Sequence, residues 1–392
     1  MNGALAKIKS ADKTVWMTKP KPNKEFSQMI ADYTILLLID TILKEVDKKT
    51  ASEIIMNAAE ELGGKIFDEY VKEKITTPKE LADILNEYEI FNKHVKEKIT
   101  TTKEWADAVN EYVFRQMGTG VTFTEISDEK IELSVIKCST IYRATSAPNI
   151  TCPFSYGFGR GLWRKSFPEG EVIMGNTIAK GKETCGFTFL VKSKENIREK
   201  MKQMFENASV ELKVEKASAS GAVPAKVSDF TILCITDSVF KHLDKKTASE
   251  IVMKTAEKLG SMVFDEYLKE MPEKWTTMEW AEKTSEFIWN QQGTGIVFSE
   301  ISDEKITSHV FKCPTPERAG EAPHIACPVS WGYARGVWKK AFPDGEVLMG
   351  GTMAHGAPTC EFTWFVKTSK EQAELREKMK KYLTKEEDIR ML

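Results

Sequence analysis

The chain carries no excess charge of either sign. Its 56 lysines and arginines stand against 58 aspartates and glutamates, a net charge of −2. That balance supplies no electrostatic pull toward nucleic acid or an anionic membrane surface, so neither is expected as a partner. Long apolar runs are also missing. Spanning a bilayer takes about 18 or more consecutive apolar residues; the longest run here, Ile35 to Ile39, suits a buried helix. Met1 to Lys24 is basic and polar and lacks the apolar region of a signal peptide. Together these absences predict a cytoplasmic protein. Seven cysteines in 392 residues are too few for a disulfide scaffold, and no Cys-x-x-Cys pair is present. The cysteines are expected as free thiols, metal ligands or reactive groups.

What the chain has is one module written twice. Asp47-Lys-Lys-Thr-Ala-Ser-Glu53 returns as Asp244-Lys-Lys-Thr-Ala-Ser-Glu250, an offset of 197. Gly118-Thr-Gly120 returns as Gly293-Thr-Gly295, an offset of 175, and from there to Lys192 and Lys367 about 44 of 75 positions are identical. That similarity exceeds chance and marks a tandem duplication. The difference in offset is an insertion in the first copy, where Val71-Lys-Glu-Lys-Ile-Thr-Thr77 recurs as Val95-Lys-Glu-Lys-Ile-Thr-Thr101. The segment around Ala217-Ser-Ala-Ser-Gly-Ala-Val-Pro224 is rich in small residues and reads as a linker. The expected organisation is a tail over 1–25, repeat 1 over 26–207, a linker over 208–227 and repeat 2 over 228–392. With 41% hydrophobic residues, each copy can bury a core.

Within each copy the pattern changes from helical to extended. Thr50-Ala-Ser-Glu53 reads as a capping box, followed by Ile54, Ala58, Leu62 and Ile66 at helical spacing. Thr77-Pro-Lys-Glu80, Thr101-Thr-Lys-Glu104 and Thr276-Thr-Met-Glu279 repeat that kind of start. Strands are predicted over 121–126 and 131–137 around the turn Ser127-Asp-Glu-Lys130, then over 171–179 and 185–192, with a helix from Cys152-Pro153 to about Ser166. The expected fold class is α+β: in each repeat, helices, then an antiparallel sheet with a helix inserted before its last hairpin.

Chemistry centres on cysteines shared by the copies. Cys138, Cys152 and Cys185 correspond to Cys313, Cys327 and Cys360. Cys234 has Leu37 as its counterpart and reads as a small core residue on a helix. Pro153 and Pro328 follow Cys152 and Cys327, which predicts that each Cys caps a helix N-terminus, where the helix dipole would lower its pKa. That position suits a nucleophile, a metal ligand or a simple cap. Strand ends and helix starts meet at sheet edges, so the three sulfurs of each copy could converge and hold zinc or an iron–sulfur cluster.

Around Cys152 both copies read Ser-aromatic-Gly-aromatic-x-Arg-Gly-x-Trp. Gly157 and Gly161 are four apart and permit close approach by a neighbour or a ligand. Arg160 and Arg335 could hold a substrate carboxylate, with Trp163 and Trp338 beside them, or could be surface residues covering the aromatics. Two differences favour the second copy for chemistry: His324 replaces Asn149 and His355 replaces Lys180, each close in sequence to a cysteine. Either pairs with a thiol or sits exposed in a loop. His309 alternates on a strand, and His94 and His242 read as helix-surface residues.

From Cys138 onward each copy resembles a superfamily of small-molecule-binding domains. It includes the 4-vinyl reductase domain, the aromatic-sensing domain of phenol-responsive regulators and the L-2-amino-thiazoline-4-carboxylic acid hydrolase-like family. The resemblance lies in Ile136-Lys-Cys138, Cys152 and Gly181-x-x-x-Cys-x-Phe187, and in Phe311-Lys-Cys313-Pro, Cys327 and Gly356-x-x-x-Cys-x-Phe362. It covers roughly the last 90 residues of each copy. The regulator branch implies zinc held by three Cys and a Glu. Cys152 and Cys185 match two of those positions, whereas the others fall near Thr177 and Met174. The hydrolase-like branch shares the Cys that ends the middle strand, and implies hydrolysis of a cyclic C–N or C–S bond.

Three readings follow. One is a hydrolase in which Cys327 or Cys152 is nucleophile or metal ligand, assisted by His324 or His355. Another is a metal- or cofactor-binding sensor or carrier without catalysis. The last is an interaction protein with packed thiols. In each, fusing two copies raises the effective concentration of one for the other and predicts an intramolecular pseudo-dimer.

Overall fold

The computed structural model describes residues 16–17, 23–72, 99–137, 148–178, 181–193, 196–206, 225–268, 274–314 and 323–383. The fold is α+β, as expected. The N-terminal tail carries β1 (Trp16–Met17), and repeat 1 runs α1 (Lys24–Glu45), α2 (Lys48–Phe67), α3 (Thr102–Val109), β2 (Gly120–Ile126), β3 (Lys130–Lys137), α4 (Pro148–Arg164), β4 (Glu171–Met174), β5 (Cys185–Leu190) and α5 (Ile197–Glu206). Repeat 2 follows as α6 (Ala225–His242), α7 (Lys245–Tyr267), α8 (Thr277–Thr284), β6 (Gly295–Ile301), β7 (Lys305–Lys312), α9 (Pro323–Ala341), β8 (Glu346–Met349), β9 (Cys360–Phe365) and α10 (Lys370–Leu383). The expected helix at Thr77 and most of the duplicated insertion lie outside the described residues, as does nearly all of the expected linker. No described helix is long and apolar enough to cross a membrane.

The chain forms two compact units, and these do not coincide with the sequence repeats. One unit joins residues 1–45 to 239–392; the other is 46–238. The first helix of each repeat is thus grouped with the body of the other repeat. In the first unit Asp40 and Glu45 of α1 bind Lys258 and Lys254 of α7 at 3.1 and 2.9 Å, and Phe26 meets Tyr267 edge-on at 4.5 Å. In the second unit Ser238 of α6 donates to the Ile54 carbonyl of α2 at 2.8 Å.

Each unit holds one antiparallel sheet. In unit 46–238 the order is β2-β3-β5-β4; in the other it is β1-β6-β7-β9-β8, the same four strands with β1 added at the edge. The register repeats as well: Val135 faces Cys185 where Val310 faces Cys360. Both outer hairpin strands bulge at equivalent places, after Phe123 and after Phe298.

Helix starts follow side-chain capping, with one correction. Thr101 and Thr276 each form a full capping box with Glu104 and Glu279. Thr50 does not cap α2. Asp47 does, accepting the Thr50 amide at 3.0 Å, and Asp244 does the same for α7. A carboxylate at the helix N-terminus also meets the positive end of the dipole, so Asp takes the position and Thr50 moves inside the first turn. The expected stripe is present: Ile54, Ala58, Leu62 and Ile66 are all buried.

That stripe belongs to a helix whose partner must come very close. A Cβ at Gly161 of α4 would collide with the Glu60 carbonyl of α2, and one at Gly336 of α9 with the Glu257 carbonyl of α7. Glycine is required there by backbone approach between helices, so the partner is a neighbouring helix. Beneath the helices sits an aromatic core. Trp105 meets Trp163 edge-on at 4.8 Å, and Trp280 meets Trp338 at 4.7 Å. The indole N–H groups of Trp163 and Trp338 find strand carbonyls, Trp163 donating to Leu190 at 2.8 Å and Trp338 to Phe365 at 2.9 Å.

Candidate functional site

In unit 1–45/239–392 the structure places Cys313 and Cys360 at one end of the sheet. β9 begins at Cys360, opposite Val310 near the end of β7, and Cys313 follows directly after β7. The segment after β8 crosses the same sheet end and carries Thr352 and Met353. The Cys360 sulfur accepts the Met353 amide at 3.3 Å, and the Cys327 sulfur stands 4.0 Å from the Thr352 hydroxyl. One two-residue stretch therefore touches two of the three sulfurs. Burial pushes the Cys327 thiol up to about 12, and the nearby Cys360 and Cys313 sulfurs add to the shift. Burial also raises Cys360, again with a contribution from Cys313. These sulfurs share one electrostatic neighbourhood, and Cys327 is a neutral thiol at physiological pH. None of Cys313, Cys327 and Cys360 is in a disulfide.

The expected N-cap position of Cys327 is corrected. α9 starts at Pro323 and α4 at Pro148, so Pro328 and Pro153 lie inside the helices. Each helix has two prolines in its first two turns, and the earlier one occupies the start that suits proline. Cys327 lies a turn inside, 7% exposed, where burial outweighs any help from the dipole.

Unit 46–238 shows part of the same arrangement. Cys185 begins β5, and its sulfur accepts the Ile178 amide at 3.2 Å, as Cys360 does with Met353. Thr177, the counterpart of Thr352, is buried, and its hydroxyl meets no hydrogen-bond partner among the described residues. Cys138 and the side chain of Cys152 lie outside the described residues. So do the side chains of His324 and His355, although the backbone places His324 in the first turn of α9 and His355 in the short turn before Cys360. His309 is on β7 as expected, its Nδ1 3.5 Å from the Thr359 hydroxyl. Cys234 is fully buried on α6, and His242 is exposed at that helix's end.

Arg160 and Arg335 are neither surface residues nor open to solvent. Arg160 is 4% exposed; its Nε and Nη2 bind both oxygens of Glu171 at 2.9 and 2.8 Å, and its Nη1 binds Glu60 at 2.5 Å. Arg335 repeats this with Glu346, at 2.6 and 3.2 Å, and with Glu257. Each guanidinium ties the inserted helix to the following strand and to the preceding repeat helix. Two carboxylates of the chain already occupy the positions a substrate carboxylate would take. Trp163 and Trp338 are fully buried in the aromatic cores described above.

Thr352 was not singled out from sequence, though a signal for it exists. Gly175-Asn-Thr177-Ile-Ala179 and Gly350-Gly-Thr352-Met-Ala354 share Gly, Thr and Ala just before the last cysteine. Zinc and an iron–sulfur cluster, implied by the resemblance, can be tested against these positions. Among the described residues no three His, Cys, Asp or Glu side chains are gathered closely enough to hold one metal ion. No family model, curated protein or solved structure matches the chain.

Proposed function

We propose that the chain is a small-molecule-binding protein with a thiol-lined site at the sheet end of each repeat, acting as a sensor or carrier. The two sites are held in one intramolecular pseudo-dimer. The observation that carries this reading is the placement of Cys327 and Cys360 against the adjacent Thr352 and Met353 at one sheet end, where Cys313 follows the neighbouring strand, with Cys327 buried. A nucleophilic cysteine needs a thiolate, which requires a lowered pKa; Cys327 has the opposite shift. Arg335, the candidate to orient a substrate in a hydrolase, is held by Glu346 and Glu257. The resemblance to small-molecule-binding domains supports the ligand class, and the cysteines shared by the two copies support the choice of site.

The test is alkylation of the intact protein with iodoacetamide across pH 6 to 10, read residue by residue by mass spectrometry, beside elemental analysis of anaerobically purified protein. At pH 8, Cys327 is expected to react about 1,000-fold more slowly than an ordinary thiol, because its thiolate fraction is lower by about that factor. Fast reaction of Cys327 at pH 7 would instead establish a poised nucleophile and the hydrolase reading. Stoichiometric zinc or iron would show that the sulfurs gather around a metal and overturn the neutral-thiol site.

A further inference from the structure

The two sheets differ at one edge. In unit 1–45/239–392, β1 pairs antiparallel with β6, Trp16 opposite Phe298 and Met17 opposite Val297. Ile296, Val297 and Phe298 are there almost fully buried. The equivalent strand in unit 46–238, β2, has the same bulge and the same pairing to β3, but among the described residues no strand pairs its outer edge. Thr122, Thr124 and Glu125 are exposed, Val121 and Phe123 are only half-buried, and Ile126 is 41% exposed. An open edge of this kind presents unmatched backbone donors and acceptors and is a template for one more strand.

The duplication identifies what fits it. The offset of 197 that relates the first helices, Leu37 to Cys234 and Asp47 to Asp244, carries Trp16 and Met17 onto Lys213 and Val214. The sequence there is Val210-Glu-Leu-Lys-Val214, with apolar residues at alternate positions, the pattern of a strand with one buried face. It precedes α6, which belongs to unit 46–238 through Ser238 and Ile54, as β1 precedes α1 in the other unit. We propose that the outer edge of β2 is the docking site of Val210–Val214 of this chain, which adds a fifth strand as Trp16–Met17 does on β6.

The test is amide hydrogen exchange of the full chain, comparing the native protein with Leu212→Pro and Leu212→Asp. Proline removes a backbone donor, and aspartate removes only the apolar contact. Met17→Pro serves as the reference for β6. The docked strand predicts that peptides covering β2 lose at least about 10-fold in protection in Leu212→Pro, and less in Leu212→Asp, while β3 and β5 keep theirs. Unchanged exchange of β2 in both variants would overturn the proposal. So would protection of β2 that rises with protein concentration, which would assign the edge to a second copy.

Discussion

The two units solve the same electrostatic problem with different second cations. In both, a buried arginine on the inserted helix grips a glutamate that opens the next strand: Arg160 with Glu171, Arg335 with Glu346. In unit 1–45/239–392 the second cation, Arg376 of α10, adds to that same carboxylate at 3.1 Å. Glu346 is 1% exposed and accepts from Arg335, Arg376 and the Val347 amide. In unit 46–238 the second cation, Arg198 of α5, turns to α2 and binds Glu60 and Glu53 at 2.9 Å each, and Lys202 reaches Glu53 at 2.8 Å. The repeated part is the clamp between inserted helix and strand. The variable part is where the last helix docks: on the strand in one unit, on the repeat helix in the other.

The largest expected effect is at the most buried acid. Glu346→Gln takes from the buried Arg335 the carboxylate that holds its Nε and Nη2, leaving it Glu257 alone, takes the same carboxylate from Arg376, and should cost unit 1–45/239–392 about 3 kcal/mol. Glu171, with 15% of its side chain exposed, binds one arginine, and Glu171→Gln should cost about 2 kcal/mol. Urea unfolding followed by hydrogen exchange assigns each loss to its unit. Equal losses would mean that Arg376 contributes nothing to the buried site.

Acid should separate the units next. Burial alone would raise the Glu53 pKa, but hydrogen bonds from Lys202 and Arg198 outweigh it and hold the carboxyl at about 2. A lowered folded-state pKa stabilises above the unfolded value, and that stability is lost as pH falls toward the folded one. Unit 46–238 should therefore lose about 1–2 kcal/mol between pH 5 and pH 2 through this residue, solvent screening of a partly exposed carboxylate taking the rest. The counterpart Glu250 is exposed on α7. Glu53→Gln should remove the difference, measured as unit-resolved exchange against pH. An acid response in unit 46–238 that survives Glu53→Gln would move its origin to another group.

Much of this was legible in the sequence, for reasons that also mark the limits. The hairpins and the stripe Ile54, Ala58, Leu62 and Ile66 follow from periodicity, because one buried face dictates the spacing. The position of Cys185 and Cys360 at the start of the last strand also followed from the pattern, whereas the pairing of that strand with the one before Cys138 and Cys313 came only from the structure. Helix starts were harder: Asp47 and Thr50 are both capping residues, and Pro148 and Pro153 both suit a first turn, so geometry had to choose. The exchange of first helices was not legible, because a repeat boundary records ancestry and says nothing about which body a helix packs on. The buried state of Arg160 was equally hidden: Glu171 lies on the next strand, but Glu60 comes from 100 residues away, and no local pattern joins the three.

The smallest expected effect lies on the middle strands. Ile136 of β3 is 57% exposed, while its counterpart Phe311 of β7 is half-buried and lies against Gly295 of β6. Ile136→Thr keeps a β-branched residue on a strand and removes little buried surface, so stability should stay within about 0.5 kcal/mol. Phe311→Thr removes a ring that covers the neighbouring strand's glycine and should cost about 1–2 kcal/mol, through lost apolar burial. Urea midpoints at constant slope would measure both. A large loss from Ile136→Thr would mean that this side chain is covered in solution, and unit 46–238 would then resemble its sister at the sheet's outer hairpin more closely than the exposed edge of β2 implies.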